Sequence, residues 1–332
     1  MAIPEAMDLA VSASRAARGL SRPNPPVGAV ILDADQSLVG VGHTQAAGGP
    51  HAEVMALRDA GERARGGTAV VTLEPCAHTG RTGPCTQALL AAGVRNLVYA
   101  VADPNPVAAG GAAELAAAGV EVSVSGTEQV ADGPLREWLF RTRTGRPYVT
   151  AKLATSLDGR VAAPDGSSQW ITGPQAREHS HRVRAELDAI IVGAGTALTD
   201  DPALTSRTPT GELTERQPGR VVVGRREIPA AARLRGPGGR FVQVRSHDPA
   251  EALRACGDAA NVQVEGGPQL LGAFLTAGLV DRVEAYLAPT LLGAGRSAIE
   301  APGVTTLADR HDFALESVIT LGADLLLTLR RG

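Results

Sequence analysis

The chain has 332 residues, 44% of them hydrophobic and 20% charged, with a formal net charge of -3. At roughly 150 residues per domain, that length suggests two globular domains. The charge balance excludes a polycationic nucleic-acid binder, the absence of a long apolar run excludes a membrane span, and three cysteines exclude an all-disulfide framework.

Residues 5–19 read as an amphipathic helix. Glu5 and Asp8 interrupt its apolar stretch and no basic segment precedes it, so it does not read as a signal peptide, and a cytoplasmic location is expected. Val27–Leu32 and Leu38–Gly42 read as a strand pair bent at Asp33–Ser37. Helical character follows over His51–Ala64, then a β run at Thr68–Leu73, a helix at Cys85–Ala92, a strand at Asn96–Val101, a helix at Ala112–Ala118, a strand at Val120–Val124 and a helix at Glu128–Arg143. The polar stretch Arg141–Pro147 marks a boundary, giving domains 1–145 and 146–332. Beyond it come strand Tyr148–Ala154 and helix Pro174–Leu187, with Pro174 in its first turn. Strand Ala189–Val192, a Gly/Thr turn, strands Arg220–Val223 and Arg240–Val244, and helix Pro249–Cys256 follow. Strand Asn261–Glu265, helix Gln269–Ala277, strand Val283–Leu287 and a hairpin of Phe313–Ile319 with Asp324–Leu329 close the chain. Alternation of β and α predicts α/β domains with mostly parallel, helix-covered sheets.

The strongest chemical signal is His51-Ala-Glu53 followed by Cys76 and Cys85. One imidazole and two thiolates suit three corners of a tetrahedral Zn²⁺ site and leave the fourth for a water whose acidity the metal raises. Glu53 is spaced to act as the proton shuttle rather than as a ligand. This is the histidine-x-glutamate and proline-cysteine pattern of zinc nucleobase deaminases. His51 and Cys85 each follow a proline and read as helix starts, which favour thiolate. Eight residues separate the cysteines, so the short C-x-x-C form does not apply. A closed structural zinc site with His78 as fourth ligand, and plain core cysteines, stay open as alternatives. Lys152 is the single lysine among 32 basic residues, and Asn24 and Asn105 each sit between prolines. Cys256 reads as a core residue on an apolar helix.

Pro23-Asn-Pro-Pro-Val-Gly28, His51-Ala-Glu53, the run from Thr72 to Cys85 and Asp103-Pro-Asn-Pro106 resemble the bifunctional riboflavin-biosynthesis deaminase/reductases. So do Lys152–Arg160, Ser168–Thr172, Arg182–Ala185, Asp200–Thr205, Glu265–Pro268 and Ala288–Gly293, so that the resemblance covers nearly the whole chain. It implies a cytidine-deaminase-like three-layer α/β/α domain followed by a dihydrofolate-reductase-like α/β domain. The first would deaminate 2,5-diamino-6-(5-phosphoribosylamino)pyrimidin-4-one with one catalytic zinc. The second would reduce the ribosyl group to ribityl with NADPH. By the same resemblance Asn24 would bind the pyrimidine edge and Arg81 the substrate phosphate. Lys152 would act in the reduction, with Ser168, Arg184, Leu204, Arg207 and Glu265 contacting substrate. Ala154, Trp170, Thr196, Asp200 and the turn Gly267, Pro268, Gln269, Leu270, Leu271, Gly272, Ala273 would contact NADPH, a helix start being a natural pyrophosphate seat. Where the family carries Asp then Ser after the Val-rich strand, this chain has Gly224-Arg225-Arg226. Arg225 with Arg226 would instead grip the 2′-phosphate. The expected partner is a pyrimidine ribotide, with no nucleic acid or membrane, and with a homodimer or higher oligomer formed through the reductase half. Two other readings stand beside this one. The first is a nucleic-acid deaminase with an accessory domain, disfavoured by 3% aromatics and the acidic balance. The second is a degenerate scaffold with structural zinc.

Overall fold

The computed structural model describes residues 1–79 and 83–332. The chain forms two compact units, Met1–Arg146 and Pro147–Gly332.

The first unit runs α1 (Ile3–Arg15), β1 (Gly28–Leu32), β2 (Leu38–His43), α2 (Ala52–Ala60), β3 (Thr68–Leu73), α3 (Cys85–Ala92), β4 (Asn96–Val101), α4 (Gly111–Ala117), β5 (Glu121–Val124), α5 (Thr127–Ala131) and α6 (Arg136–Thr144). Its sheet has the order β2-β1-β3-β4-β5. β1 is antiparallel to both its neighbours, whereas β3, β4 and β5 are parallel, so the sheet is mixed rather than mostly parallel. Helices cover both faces, and two glycines show it. A Cβ on Gly28 would lie 1.9 Å from the Ala10 carbonyl oxygen of α1. A Cβ on Gly42 would lie 2.4 Å from the Ala52 oxygen of α2. Gly42 pairs with Ala29, and successive strand residues point to opposite faces, so α1 and α2 lie on opposite sides. The strand interiors, all five residues of β1 and all six of β3, are buried between these layers.

The expected helix 128–143 is instead two, α5 and α6. Gly133-Pro134 falls between them, and proline supplies no N–H and clashes with the preceding turn.

The second unit runs β6 (Tyr148–Ser156), β7 (Arg160–Ala162), α7 (Pro174–Glu186), β8 (Ala189–Gly193), α8 (Ala194–Asp200), β9 (Gly219–Val223), β10 (Phe241–Val244), α9 (Pro249–Ala255), β11 (Asn261–Val264), α10 (Pro268–Thr276), β12 (Arg282–Ala288), β13 (Arg296–Ser297), β14 (Ala314–Leu321) and β15 (Asp324–Arg330). Eight strands form one sheet in the order β10-β9-β8-β11-β6-β12-β15-β14. The first six are parallel and the last two close antiparallel as the expected hairpin. Alternate residues feed separate cores: Ile191 and Val221 pack on one face, Ile190 and Val222 on the other. The Gly/Thr turn expected after β8 is helix α8, because Gly193 in an extended conformation starts a run of small residues that carries the helix through Gly195. β7 and β13, of three and two residues, are too short to show a period.

Gly28→Ala is expected to destabilise the first unit by about 1–3 kcal/mol, the usual cost of overpacking against backbone. Urea unfolding followed by separate probes in the two units checks this: the transition of the first unit moves and that of the second does not.

Candidate active sites

In the first unit, three element ends converge. His51 is the residue before α2, Cys85 opens α3, and Cys76 follows the end of β3. His51 Nδ1 lies 3.3 Å from Cys85 Sγ and 3.6 Å from Cys76 Sγ, and the backbone N–H of Cys85 donates to Cys76 Sγ over 3.4 Å. Zinc with Zn–S near 2.3 Å and Zn–N near 2.0–2.1 Å in tetrahedral geometry needs an N···S separation of roughly 3.5 Å. The observed triangle fits that ion. The hydrogen bond between the two thiols pulls Cys76 down, toward the thiolate a metal requires, and with burial pushes Cys85 up, so the pair shares one proton that a bound cation would displace. Among the described residues no fourth His, Cys, Asp or Glu joins the group. His78 stands outside it, with Nδ1 buried and unpartnered. The donor set is that of an open site.

Glu53 sits in the first turn of α2 and is 4% exposed. Burial raises its carboxyl to about 7, where one group can both take and return a proton. A bound dication would draw it back down. The surrounding cleft, of about 360 Å³, is lined by Asn24, His51, Glu53, Cys76, His78, Asp103, Asn105 and Trp138. Ser21 fixes Asn24 through a hydroxyl bond to its carbonyl oxygen at 2.9 Å, leaving the carboxamide at the cleft. Asp103 and Trp138 were not singled out as site residues from sequence. Asp103 lay in a recognised Pro-rich motif, whereas Trp138 carries no local signal. Arg81 lies outside the described residues.

In the second unit, Glu265 is the hub. Arg184 grips it with two hydrogen bonds, Nε to Oε1 at 2.8 Å and Nη2 to Oε2 at 2.6 Å. Lys152 Nζ lies 4.0 Å from Oε2. Burial alone would push Glu265 up, but Arg184 and Lys152 outweigh it and hold the carboxyl down to about 2. Burial lowers the Lys152 ammonium, and Glu265 opposes that fall. Lys152, Ala154, Ser168, Asp200, Glu265 and Leu271 line a cleft of about 440 Å³. A second cleft, of about 560 Å³, is lined by Gly195, Gly224, Arg225, Arg226, His247, Gln269, Leu270 and Ala273. The two share Thr196, Thr199, Gly267, Pro268 and Arg296, so they adjoin. At the junction α10 begins after Gly267, and the N–H groups of Gln269 and Leu270 have no carbonyl one turn back. Helix start, cationic rim and elongated shape together fit an anionic dinucleotide.

Four of the expected reductase contacts are not among the residues that line these two clefts. Leu204 is buried in the apolar cluster with Ile190 and Val222. Arg207 donates to the Gly211 carbonyl oxygen at 2.6 Å. A Cβ on Gly272 would lie 1.7 Å from the backbone oxygen of Glu300, so this glycine permits close packing of α10 against a residue that lines the second cleft. Trp170 is 68% exposed, with the Arg177 guanidinium 4.7 Å over its ring. Arg184 itself reaches the cleft through Glu265.

A zinc-type deaminase joined to a nucleotide-dependent reductase is the class these two centres define. Residues 2–101 match the cytidine and deoxycytidylate deaminase zinc-binding region, and residues 147–327 match the RibD C-terminal domain. The chain is 54% identical to the riboflavin biosynthesis protein RibD of Mycobacterium tuberculosis, over 98% of this chain and 97% of that one. It is 41% identical to the RibD of Escherichia coli, over 97% and 98%. Among solved structures, Acinetobacter baumannii RibD superposes with a TM-score of 0.89 at 38% identity, covering 99% of each chain. A Thermotoga maritima diaminohydroxyphosphoribosylaminopyrimidine deaminase/5-amino-6-(5-phosphoribosylamino)uracil reductase superposes at 0.91 and 30% identity, covering 99% of each. The chain belongs to the RibD family of riboflavin-biosynthesis enzymes, with a zinc-binding deaminase domain followed by a reductase domain. The match of the whole second unit to the RibD reductase removes the reading as a nucleic-acid deaminase with an accessory domain. No helix among the described residues is long and apolar enough to cross a membrane.

Cys85→Ser is expected to lower bound zinc from about one per chain toward none after dialysis, measured by elemental analysis.

Proposed function

We propose that the first unit hydrolyses the ring amino group of 2,5-diamino-6-(5-phosphoribosylamino)pyrimidin-4-one, and that the second reduces the ribosyl group of the product to ribityl with NADPH. The observation that carries this reading is the His51, Cys76 and Cys85 triangle beside buried Glu53, in a cleft that Asn24 and Asn105 also line.

His51, Cys76 and Cys85 hold the zinc. Bound there, it supplies Lewis acidity that makes water nucleophilic near neutral pH. Glu53 takes the proton of the attacking water and passes it to the leaving amine, so that the ring C–N bond is exchanged for C=O and ammonia departs. Asn24 and Asn105 present donor and acceptor groups to the pyrimidine edge.

In the reduction NADPH supplies the hydride. The backbone at the start of α10 seats its pyrophosphate, and Arg225 with Arg226 takes the 2′-phosphate. Thr196, Gly267 and Pro268 lie where the two clefts meet, and they would hold the reactive end of the cofactor beside the cleft that contains Lys152. Glu265 and Arg184 orient Lys152, whose ammonium would give its proton to the ribose ring oxygen as the bond between that oxygen and C1′ breaks, C1′ being the carbon the cofactor would reduce.

Two further features extend this reading. β14 is an edge strand exposed along seven of its eight residues, with Leu315, Val318 and Ile319 uncovered, and pairing with a second copy would cover it. Two thiolate ligands suit a reducing compartment, which supports the reading of a cytoplasmic enzyme.

Incubation with the pyrimidinone phosphate and NADPH, following ammonia and NADPH absorbance separately, tests both activities. Glu53→Gln is expected to keep zinc while losing about 10²–10⁴-fold in ammonia release; unchanged release would remove Glu53 from the mechanism. For the reductase, the proton on Lys152 is present below its lowered pKa and lost as pH rises through it. The rate therefore falls on the alkaline side, at a pH below the ordinary lysine value of 10.5, and Lys152→Arg abolishes that limb. A limb that survives in the variant would assign it to another group. Arg225→Ala with Arg226→Ala is expected to reduce the preference for NADPH over NADH by about tenfold or more, a loss of charge-assisted bonds worth roughly 1.5–3 kcal/mol. Equal KM ratios in variant and parent would contradict it.

A further inference from the structure

One buried carboxylate at the deaminase cleft takes no part in the chemistry above. Glu74 is 8% exposed and borders the cleft between β3 and Cys76. A carboxylate is costly to bury without donors, and this one has three from the backbone. Its Oε1 accepts the N–H of Gly110 at 3.1 Å and of Ala112 at 3.0 Å, and its Oε2 accepts the N–H of Asp103 at 3.1 Å. Its own N–H donates to the Val101 oxygen at 2.8 Å.

The Asp103 bond begins a chain of turns. Asp103 Oδ1 accepts the N–H of Asn105 at 2.8 Å, and Asn105 Oδ1 accepts the N–H of Val107 at 3.1 Å. With its oxygen engaged in this way, Asn105 has its carboxamide nitrogen left to donate into the cleft. The Ala108 N–H donates to the Asn105 oxygen at 2.9 Å, and the Ala108 oxygen accepts from Ala77 at 3.2 Å. The turn thus returns to the residue after Cys76. At Gly111 a Cβ would lie 1.8 Å from the Pro75 oxygen, so the start of α4 is pressed against the same segment.

We propose that Glu74 is a positioning residue for deamination: through the Asp103 N–H it sets the 103–108 turn, and with it the separation between the Asn105 carboxamide and the metal-ligating wall of the cleft. This rests on the reading that the pyrimidine is held in that cleft against Asn105. The Glu74 carboxylate is taken up by these three backbone donors. It acts on how the ring is held, and so on KM, and not on the metal or the proton shuttle. Glutamine keeps the shape but turns an N–H donor toward one of the three backbone donors.

The test uses the full-length enzyme in four forms: parent, Glu74→Gln, Asn105→Ala and the double variant. Deaminase kcat and KM are measured on the pyrimidinone phosphate, and the absorption spectrum is recorded with Co²⁺ in place of zinc. The reductase rate of the same samples reports the amount of intact chain. Glu74→Gln is expected to raise KM about tenfold, within the range a misplaced binding group costs, with kcat changed less than about threefold and the Co²⁺ spectrum unaltered. Asn105→Ala raises KM as well, and the double variant is no worse than the poorer single, because both act on one contact. KM effects that multiply would overturn the proposal, as would a changed Co²⁺ spectrum or a fall in kcat at constant KM. An Asn105→Ala variant with parental KM would instead remove the reading beneath it. If Glu74→Gln does not accumulate, Glu74→Asp carries the comparison with a smaller rise in KM. Loss of folded deaminase in both would show a structural role only and overturn the proposal.

Discussion

The deaminase depends on one constraint: an imidazole nitrogen and two sulfurs, drawn from the starts of two helices and the end of a strand, must meet at the separations a tetrahedral ion imposes. The fold meets it by burying the layers around β1 and β3 so tightly that glycine is needed where α1 and α2 cross the sheet. Rigid layers fix where α2 and α3 begin, and those beginnings carry His51 and Cys85. Glu53 follows His51 by two residues, so the same helix start that supplies a ligand also places the proton carrier in a dry position. Burial that would be costly elsewhere is here the source of its raised proton affinity.

The reductase solves a different problem with the same economy of charge. Lys152 and Arg184 share one carboxylate, Glu265. A buried ammonium without that partner would tend to lose its proton, and a buried carboxylate without both cations would tend to gain one. The group is held beside the start of α10, where backbone donors and the arginines of the 224–226 turn favour an anionic cofactor. The cleft that contains Lys152 and the cleft beside the start of α10 meet at Thr196 and Gly267, as the proposed reduction requires.

Much of this was legible in the sequence, for a physical reason. Metal chemistry restricts donor types and keeps them near element ends, so His51, Glu53, Cys76 and Cys85 stand out despite the eight-residue gap between the cysteines. Strands β3, β4, β8 and β9 were readable because burial on both faces leaves continuous apolar runs. What escaped was information carried by tertiary approach. Trp138 reaches the cleft from α6, some fifty residues beyond the metal ligands, and nothing local marks it. Leu204 sits in a motif typical of substrate contacts, and its side chain belongs to an apolar core, which the motif did not announce. Helix α8 was hidden by glycine, whose weak helical preference is outweighed by packing on β8 and β9. The break between α5 and α6 was written in Gly133-Pro134 and was overridden by the apolar pattern around it.

X-ray absorption at the zinc edge of the purified protein tests the central claim most directly. The account predicts one imidazole nitrogen near 2.0–2.1 Å, two sulfurs near 2.3 Å and one further light atom from solvent that exchanges when a pyrimidine ligand binds. A first shell filled by four protein donors, or one with a sulfur count other than two, would contradict it.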